Sequence, residues 1–158
     1  MRNRVFFFIG ISLLFTQCSS PDFPSTEQET AIRAFNEAYD NSLEDRNPDS
    51  ALLLAHKIIR LHDEFDDPDL YFDALTSAGL AHERMGSPDS SEFYYQKAVQ
   101  FAREIDDPHK IAFTLQLEAN NYIDRQKYRL ARQKYADALI LNKNIKNQAQ
   151  VAANYAGL

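Results

Sequence analysis

The chain contains no tryptophan, a single cysteine, two methionines and only four glycines among its 158 residues. One cysteine excludes an intramolecular disulfide framework and any multi-cysteine zinc site. So few glycines argue against a turn-rich all-β fold, whose tight turns need residues that tolerate positive φ. Low-complexity disorder is excluded by the opposite count: eleven phenylalanines and eight tyrosines bring aromatics to 12%, enough to bury surface. What is abundant, notably Ala, Leu, Glu and Gln, favours helices. With 44% apolar and 25% charged residues the chain suits one ordinary soluble domain, too short for a large multidomain enzyme.

The first twenty residues differ from the rest. Arg2 and Arg4 precede an apolar run from Val5 to Phe15, broken only by Gly10 and Ser12. As a helix this run spans about 16 Å, whereas a bilayer core needs about 20 apolar residues. It is too short to cross a membrane and has the shape of a secretory leader. Cys18, the one cysteine, stands three residues beyond it, and Ser19-Ser20-Pro21-Asp22-Phe23-Pro24 follows as a polar tether. This segment resembles a bacterial lipoprotein signal peptide, with Phe15 and Thr16 at the lipobox positions before the cysteine. Phe15 replaces the usual Leu, and Gln17 departs from the small residue expected next to the cysteine. The resemblance implies that residues 1–17 are removed and that Cys18 carries lipid, giving a stable anchor. Ser19 implies the outer membrane rather than retention at the inner one. An uncleaved anchor and cleavage elsewhere are the alternatives. Loss of residues 1–17 takes two arginines and no acid, moving the formal charge from −6 to −8. An acidic body disfavours nucleic acid and anionic lipid.

The remainder repeats with a period of forty. Phe65-Asp66-Asp67-Pro68 returns as Ile105-Asp106-Asp107-Pro108 and, more loosely, as Ile145-Lys146-Asn147-Gln148. Pro48-Asp49-Ser50 returns as Pro88-Asp89-Ser90, and Lys57 as Lys97. Apolar positions keep step: Ile59, Val99 and Leu139; Leu61, Phe101 and Leu141; Phe35, Leu75, Leu115 and Tyr155. Each unit reads as two helices. Tyr71, Ala74, Leu75, Ala78, His82 and Met85 share one helical face. Gly86 suits the left-handed residue that ends a helix. Ser87-Pro88, Asn47-Pro48, Asp67-Pro68 and Asp107-Pro108 pair a capping residue with proline at the first helical position. Thr26 and Glu29 form a capping box. These signals predict helix pairs near 26–46 and 48–65, 68–85 and 88–105, and 108–125 and 128–145, with a seventh helix from about 148. The units lie near 26–65, 66–105 and 106–145, with a partial unit 146–158 after the tether 18–25.

The pattern resembles the tetratricopeptide repeat (TPR), which sets small and large residues at fixed places in two antiparallel helices. Leu115, Ala119, Tyr122, Tyr128, Ala131, Tyr135, Ala138 and Leu139 match in the third unit. Leu75, Ala78, Gly79, Gly86, Tyr95, Ala98 and Val99 match in the second, where His82 and Ser91 replace Tyr and Ala. In the first unit Ala38, Ala51, Ala55, Ile58 and Ile59 keep only the volume pattern, and forty residues exceed the usual thirty-four. The resemblance implies an all-α fold, a right-handed superhelix of antiparallel helix pairs over residues 26–158.

No motif places a nucleophile beside a base. H-E-x-x-H, a Gly-rich phosphate loop and G-x-S-x-G are all missing. His56 and His62 are six apart and do not share a helix face, while His82 reads as a packing residue. The acidic run Asp63, Glu64, Asp66, Asp67 and Asp69 lacks the glycine and closing glutamate of a calcium loop, and its Asp-Asp-Pro core recurs as a cap. No enzyme, metal or cofactor is expected.

In the resembled family, ligands lie in a concave groove lined by the first helix of each pair. By repeat position this implies Arg33, Asn36 and Asp40; then Asp73, Thr76, Leu80, Glu83 and Arg84; then Phe113, Gln116, Asn120, Ile123 and Asp124. One subfamily clamps a peptide carboxylate with Lys, Arg and Asn, but only Asn36 and Asn120 stand at suitable places and no Lys does. Acids outnumber Arg33 and Arg84, so a neutral or basic peptide or helix is the expected partner, and nucleic acid is not. The expectation is a lipoprotein of the cell envelope that acts as a protein-binding scaffold. The alternatives are the sensor region of a longer signalling protein and a nutrient- or glycan-capture lipoprotein. Ala149, Val151, Ala152, Tyr155 and Leu158 would need a further helix to cover them, so the front part of a longer protein, or a truncated gene product, is expected.

Overall fold

The computed structural model describes residues 30, 32–35, 37, 47–61 and 67–157. The leader, Cys18, the tether and the Thr26–Glu29 box lie outside the described residues, as does most of the first helix expected at 26–46. Residues 30, 32–35 and 37 are helical. Six helices follow: α1 (Pro48–Arg60), α2 (Pro68–Arg84), α3 (Pro88–Glu104), α4 (Pro108–Asp124), α5 (Tyr128–Asn144) and α6 (Gln148–Ala156). Among the described residues there is no strand, and no helix is long and apolar enough to cross a membrane.

Local chemistry explains where these helices start. Asn47 accepts a hydrogen bond from the Ser50 amide at 3.2 Å, and Asp67 from Leu70 at 3.0 Å. Asp107 accepts from His109 at 2.9 Å and Lys110 at 3.1 Å. Each of these three precedes a proline whose fixed φ starts the helix. Asn147 caps α6 through the Gln150 amide. Ser87 departs from expectation: it occupies the cap of α3, but among the described residues its side chain makes no capping bond. Pro88 alone marks that start.

The ends follow a single rule. Gly86, Asp106, Gln126 and Lys146 have φ of 71°, 54°, 56° and 58°. At each, the next residue's amide reaches back five residues: Ser87 to His82 at 2.8 Å, Asp107 to Ala102 at 2.9 Å, Lys127 to Tyr122 and Asn147 to Asn142 at 2.8 Å. This is the Schellman closure, which satisfies carbonyls the helix leaves orphaned. Helices α2 to α5 each have 17 residues. Three connecting residues complete a backbone period of twenty, so the forty-residue sequence period is two backbone periods.

Consecutive helices pack against each other and run antiparallel. Tyr71 at the start of α2 meets Phe101 near the end of α3, edge to face, with centroids 4.7 Å apart. Small residues bring the axes close: Ala74, Ala78, Ala98 and Ala102 are all fully buried. One core joins Phe35, Ala55, Ile58, Leu70, Ala74 and Ala78, and a second joins Phe72, Leu75, Ala98 and Ala102. Among the described residues Tyr95 is the largest fully buried side chain. Its burial is worth about 1.5–3 kcal/mol.

Candidate interaction surface

Helices α2 and α4, the first members of successive units, stand side by side and parallel. At their starts Lys110 Nζ lies 2.7 Å from an Asp69 carboxylate oxygen. The same ammonium sits over the Phe72 ring, 5.2 Å from its centroid, and the Phe113 ring is 6.5 Å from that of Phe72. At their ends Glu83 lies within electrostatic reach of Asn121 and Asp124. The pairs Asp69–Lys110, Phe72–Phe113 and Glu83–Asp124 all have the same separation, one repeat plus one residue. Helix α6 continues the row: Gln116 donates to Gln150 at 3.0 Å and also bonds Asn154.

The residues expected to line a groove meet different fates. Asn36 and Asp40 lie outside the described residues, and Arg33 is exposed. Asp73 is exposed, whereas Thr76 is 3% exposed. The Thr76 hydroxyl donates to the carbonyls of Phe72 and Asp73 within its own helix, at 3.2 and 3.1 Å. Leu80, Glu83 and Arg84 are half-buried. Phe113 and Ile123 are partly exposed apolar side chains, and Asp124 is open to solvent. Asn120 accepts from the Tyr135 hydroxyl. Glu83, Arg84 and Asp124 are thus brought together, while Gln116 and Asn120 reach neighbouring helices.

Around Glu83 the structure adds residues that the repeat positions do not suggest. The Tyr95 hydroxyl donates to Glu83 Oε2 at 3.1 Å. Burial pushes the Glu83 carboxyl above its ordinary range, and Asp124 adds to this. The hydrogen bond from Tyr95, the nearby Asn121 side chain and the Arg84 charge oppose the shift without cancelling it. Burial first, and then the Glu83 charge, push the Tyr95 hydroxyl up as well. Asn121 is 2% exposed. It lies near enough to Glu83 to influence its ionisation, yet neither Oδ1 nor Nδ2 has a hydrogen-bond partner of ordinary geometry among the described residues.

On the other side of α4, Arg125 binds Glu92 at 2.6 Å and Asp89 at 2.5 Å. The Tyr122 hydroxyl also donates to Glu92, at 2.6 Å. Burial alone would raise Glu92, but Tyr122 and Arg125 outweigh it and hold the carboxyl below its usual range. A second cluster joins three helices: His56 Nε2 lies 2.8 Å from the Tyr94 hydroxyl, and the His82 ring stacks on Tyr94 with centroids 5.4 Å apart. His82 therefore packs against rings, as its repeat position suggests.

The described surface includes two cavities. One of about 470 Å³ is lined by Ile123, Tyr128, Arg129, Ala131, Arg132 and Gly157. The other, about 220 Å³, lies among Gln96, Gln100, Arg103, Glu118 and Lys134. No group of three His, Cys, Asp or Glu side chains among the described residues is placed to hold a metal ion. The arrangement offers shape, carboxylates and amides, which suits non-covalent recognition.

No protein-family model matches the chain, and no curated protein matches it. Among solved structures, the crystal structure of BtubC (BKLC) from P. vanneervenii is similar, with a TM-score of 0.63 and 19% identity. The match covers 84% of this chain and 64% of that one, so the chain spans less than two thirds of that neighbour's length. At this identity the likeness is one of fold, and it fits a helical repeat protein.

Proposed function

We propose that the chain is a lipoprotein of the bacterial cell envelope whose TPR-type superhelix binds a partner polypeptide, serving as a scaffold without chemistry of its own. The observation that carries this reading is the parallel row of α2, α4 and α6, joined by Lys110–Asp69, the Glu83 cluster and Gln116–Gln150. Solenoids use such a row as an extended binding face. Polar and charged groups on it supply orientation and specificity, while apolar side chains such as Phe113 supply contact area. The anchor rests on the leader and Cys18. Once lipidated, Cys18 would hold the repeats at a membrane surface by several buried acyl chains, with the outer membrane the expected site.

Two measurements test the two halves of the proposal. Replacing Cys18 with Ala should abolish lipid labelling and release the protein from the membrane fraction; retention with unchanged labelling overturns the anchor. Partner capture from solubilised membranes should fall when Asn120 or Arg84 is replaced by Ala. Capture that ignores both substitutions removes this face from the function.

A further inference from the structure

We propose that the cavity between the end of α4, the start of α5 and Gly157 is a carboxylate site, where Arg129 and Arg132 receive an acidic side chain of a partner polypeptide. The molecule holds the same site one unit earlier with its charges reversed. Asp89 and Glu92 stand second and fifth in α3; Arg129 and Arg132 stand second and fifth in α5, forty residues on. Both helices have 17 residues, so the register is kept. In α3 the pair grips the Arg125 guanidinium, which arrives from the end of α4, at 2.5 and 2.6 Å. This place in the repeat is therefore one that meets an incoming charge. Two guanidiniums in place of two carboxylates keep the spacing and invert the charge received.

The surroundings agree. The cavity measures about 470 Å³, and Ile123, Tyr128 and Ala131 line it beside the two arginines. Arg129 and Arg132 are exposed, and at a spacing of three they are neighbours on the helix surface. Among the described residues neither makes an ion pair or a hydrogen bond, whereas nearby Arg125 is held by Asp89 and Glu92, and Lys134 by Glu118. The first seven residues of α5 carry three cations and no acid, in a chain whose formal charge is −6.

The donors decide the ligand class. A guanidinium has five donors and no acceptor, and its planar fork matches a carboxylate through two parallel bonds. A cation would be repelled. Tyr128 is 64% exposed and Ile123 38%, which gives apolar surface for the methylenes behind a carboxylate and for the residues beside it. A small inorganic anion would use the arginines and leave that surface wet, so a polypeptide is favoured. Such a site needs nothing bound on the α2–α4–α6 face, and its loss would leave that reading standing.

The test titrates the full chain with the N-acetylated, amidated peptide Leu-Glu-Glu-Leu, with its Leu-Gln-Gln-Leu and Leu-Arg-Arg-Leu counterparts, and with inorganic phosphate, following the Arg129 and Arg132 side-chain resonances by NMR. The acidic peptide should shift both, and added salt should weaken it. Arg129→Gln and Arg132→Gln should each weaken binding by roughly two- to five-fold. The double variant Arg129→Asp, Arg132→Glu recreates the α3 pair; it should lose the acidic peptide and gain the basic one. Circular dichroism melting checks folding, and the single variants, at exposed positions, carry the test if the double variant does not fold. No binding of the acidic peptide, equal binding of its glutamine counterpart, or no inversion in a folded double variant overturns the site. Phosphate that shifts both arginines as strongly as the peptide assigns the cavity to small anions and overturns the polypeptide ligand. A dimer in sedimentation that the double variant dissociates assigns the cavity to a second copy of the chain and overturns the separate partner.

Discussion

Gly79 and Tyr95 are packed so closely that a methyl group has no room between them: a Cβ built on Gly79 would lie 2.4 Å from Tyr95 Cε1 and 2.6 Å from Cδ1. The ring cannot retreat, because Tyr95 is fully buried and its hydroxyl is held by Glu83. Glycine in a helix interior costs about 1 kcal/mol relative to alanine, so Gly79→Ala tests which effect wins. Overpacking of this kind costs about 1–3 kcal/mol. The expected result is a net loss of about 1 kcal/mol and a lower Tm, despite the better helix former. In a Tyr95→Leu background most of that loss should disappear, since the clashing ring is gone. Stabilisation by Gly79→Ala alone would show that α2 and α3 can separate at little cost.

The left-handed turn residues give a prediction of opposite sign. Gln126 and Lys146 adopt φ of 56° and 58°, where a side chain strains against the following carbonyl. Replacing Gln126 with Gly should stabilise the fold by about 0.5–1 kcal/mol, the strain relief exceeding the added chain entropy. Asp106→Gly should gain less, because Asp tolerates this region better. Gly86→Ala should lose about as much as Gln126→Gly gains, by strain alone, since a Cβ there meets nothing within 4 Å. Urea denaturation of the three variants measures the order.

Helix starts were legible wherever a capping residue and a proline stand together, as at Asp67-Pro68 and Asp107-Pro108, because that chemistry is local. Helix ends were read to within one residue as well, at 85, 105, 125 and 145 against the observed Arg84, Glu104, Asp124 and Asn144. Their left-handed residues were legible only at Gly86, because Gln126 and Lys146 take the same position without a residue type that announces it. The proposed binding face could be read as a set of helix positions, but not as contacts. Asn121 looks like any polar residue on a helix, yet the fold leaves it 2% exposed. Glu83 feels the Asp124 charge only because two helices forty residues apart stand side by side. His56 and His82 likewise share no helix and meet through Tyr94. Pairings of this kind depend on interhelix register, which a single chain's pattern does not specify.

The histidine cluster makes stability depend on pH. Burial, and secondarily His56, hold the His82 pKa below its ordinary value of 6.5. The groups facing it are His56 from α1 and the Tyr94 hydroxyl from α3. The folded state therefore binds the His82 proton less readily than the unfolded chain does. Its stabilising contribution is complete above the unfolded pKa and is lost as pH falls below about 6.5 toward the folded value. Tm should fall over that window, and His82→Tyr should flatten the fall by removing the titrating ring while keeping an aromatic in the stack. An unchanged slope in His82→Tyr would assign the acid sensitivity elsewhere.

Glu118 and Lys134 make the strongest case for a polar contact that holds two helices. Lys134 Nζ lies 2.8 Å from Glu118 Oε2, and the Glu118 side chain is 2% exposed against 28% for Lys134. A buried pair of this kind gains little over a well-packed apolar pair, but removing one partner strands a desolvated charge. Lys134→Met should therefore cost about 3 kcal/mol, at the low end of the range for buried pairs because water reaches the lysine side. Adding Glu118→Leu should restore most of that loss. Chemical denaturation of the single and double variants gives the coupling directly. If Lys134→Met costs under about 1 kcal/mol, the carboxylate is solvated through the cavity it shares with Gln96, Gln100 and Arg103. The pair would then be a surface contact, and α4 and α5 would owe their alignment to Ala119, Ala131 and Ala138 rather than to charge.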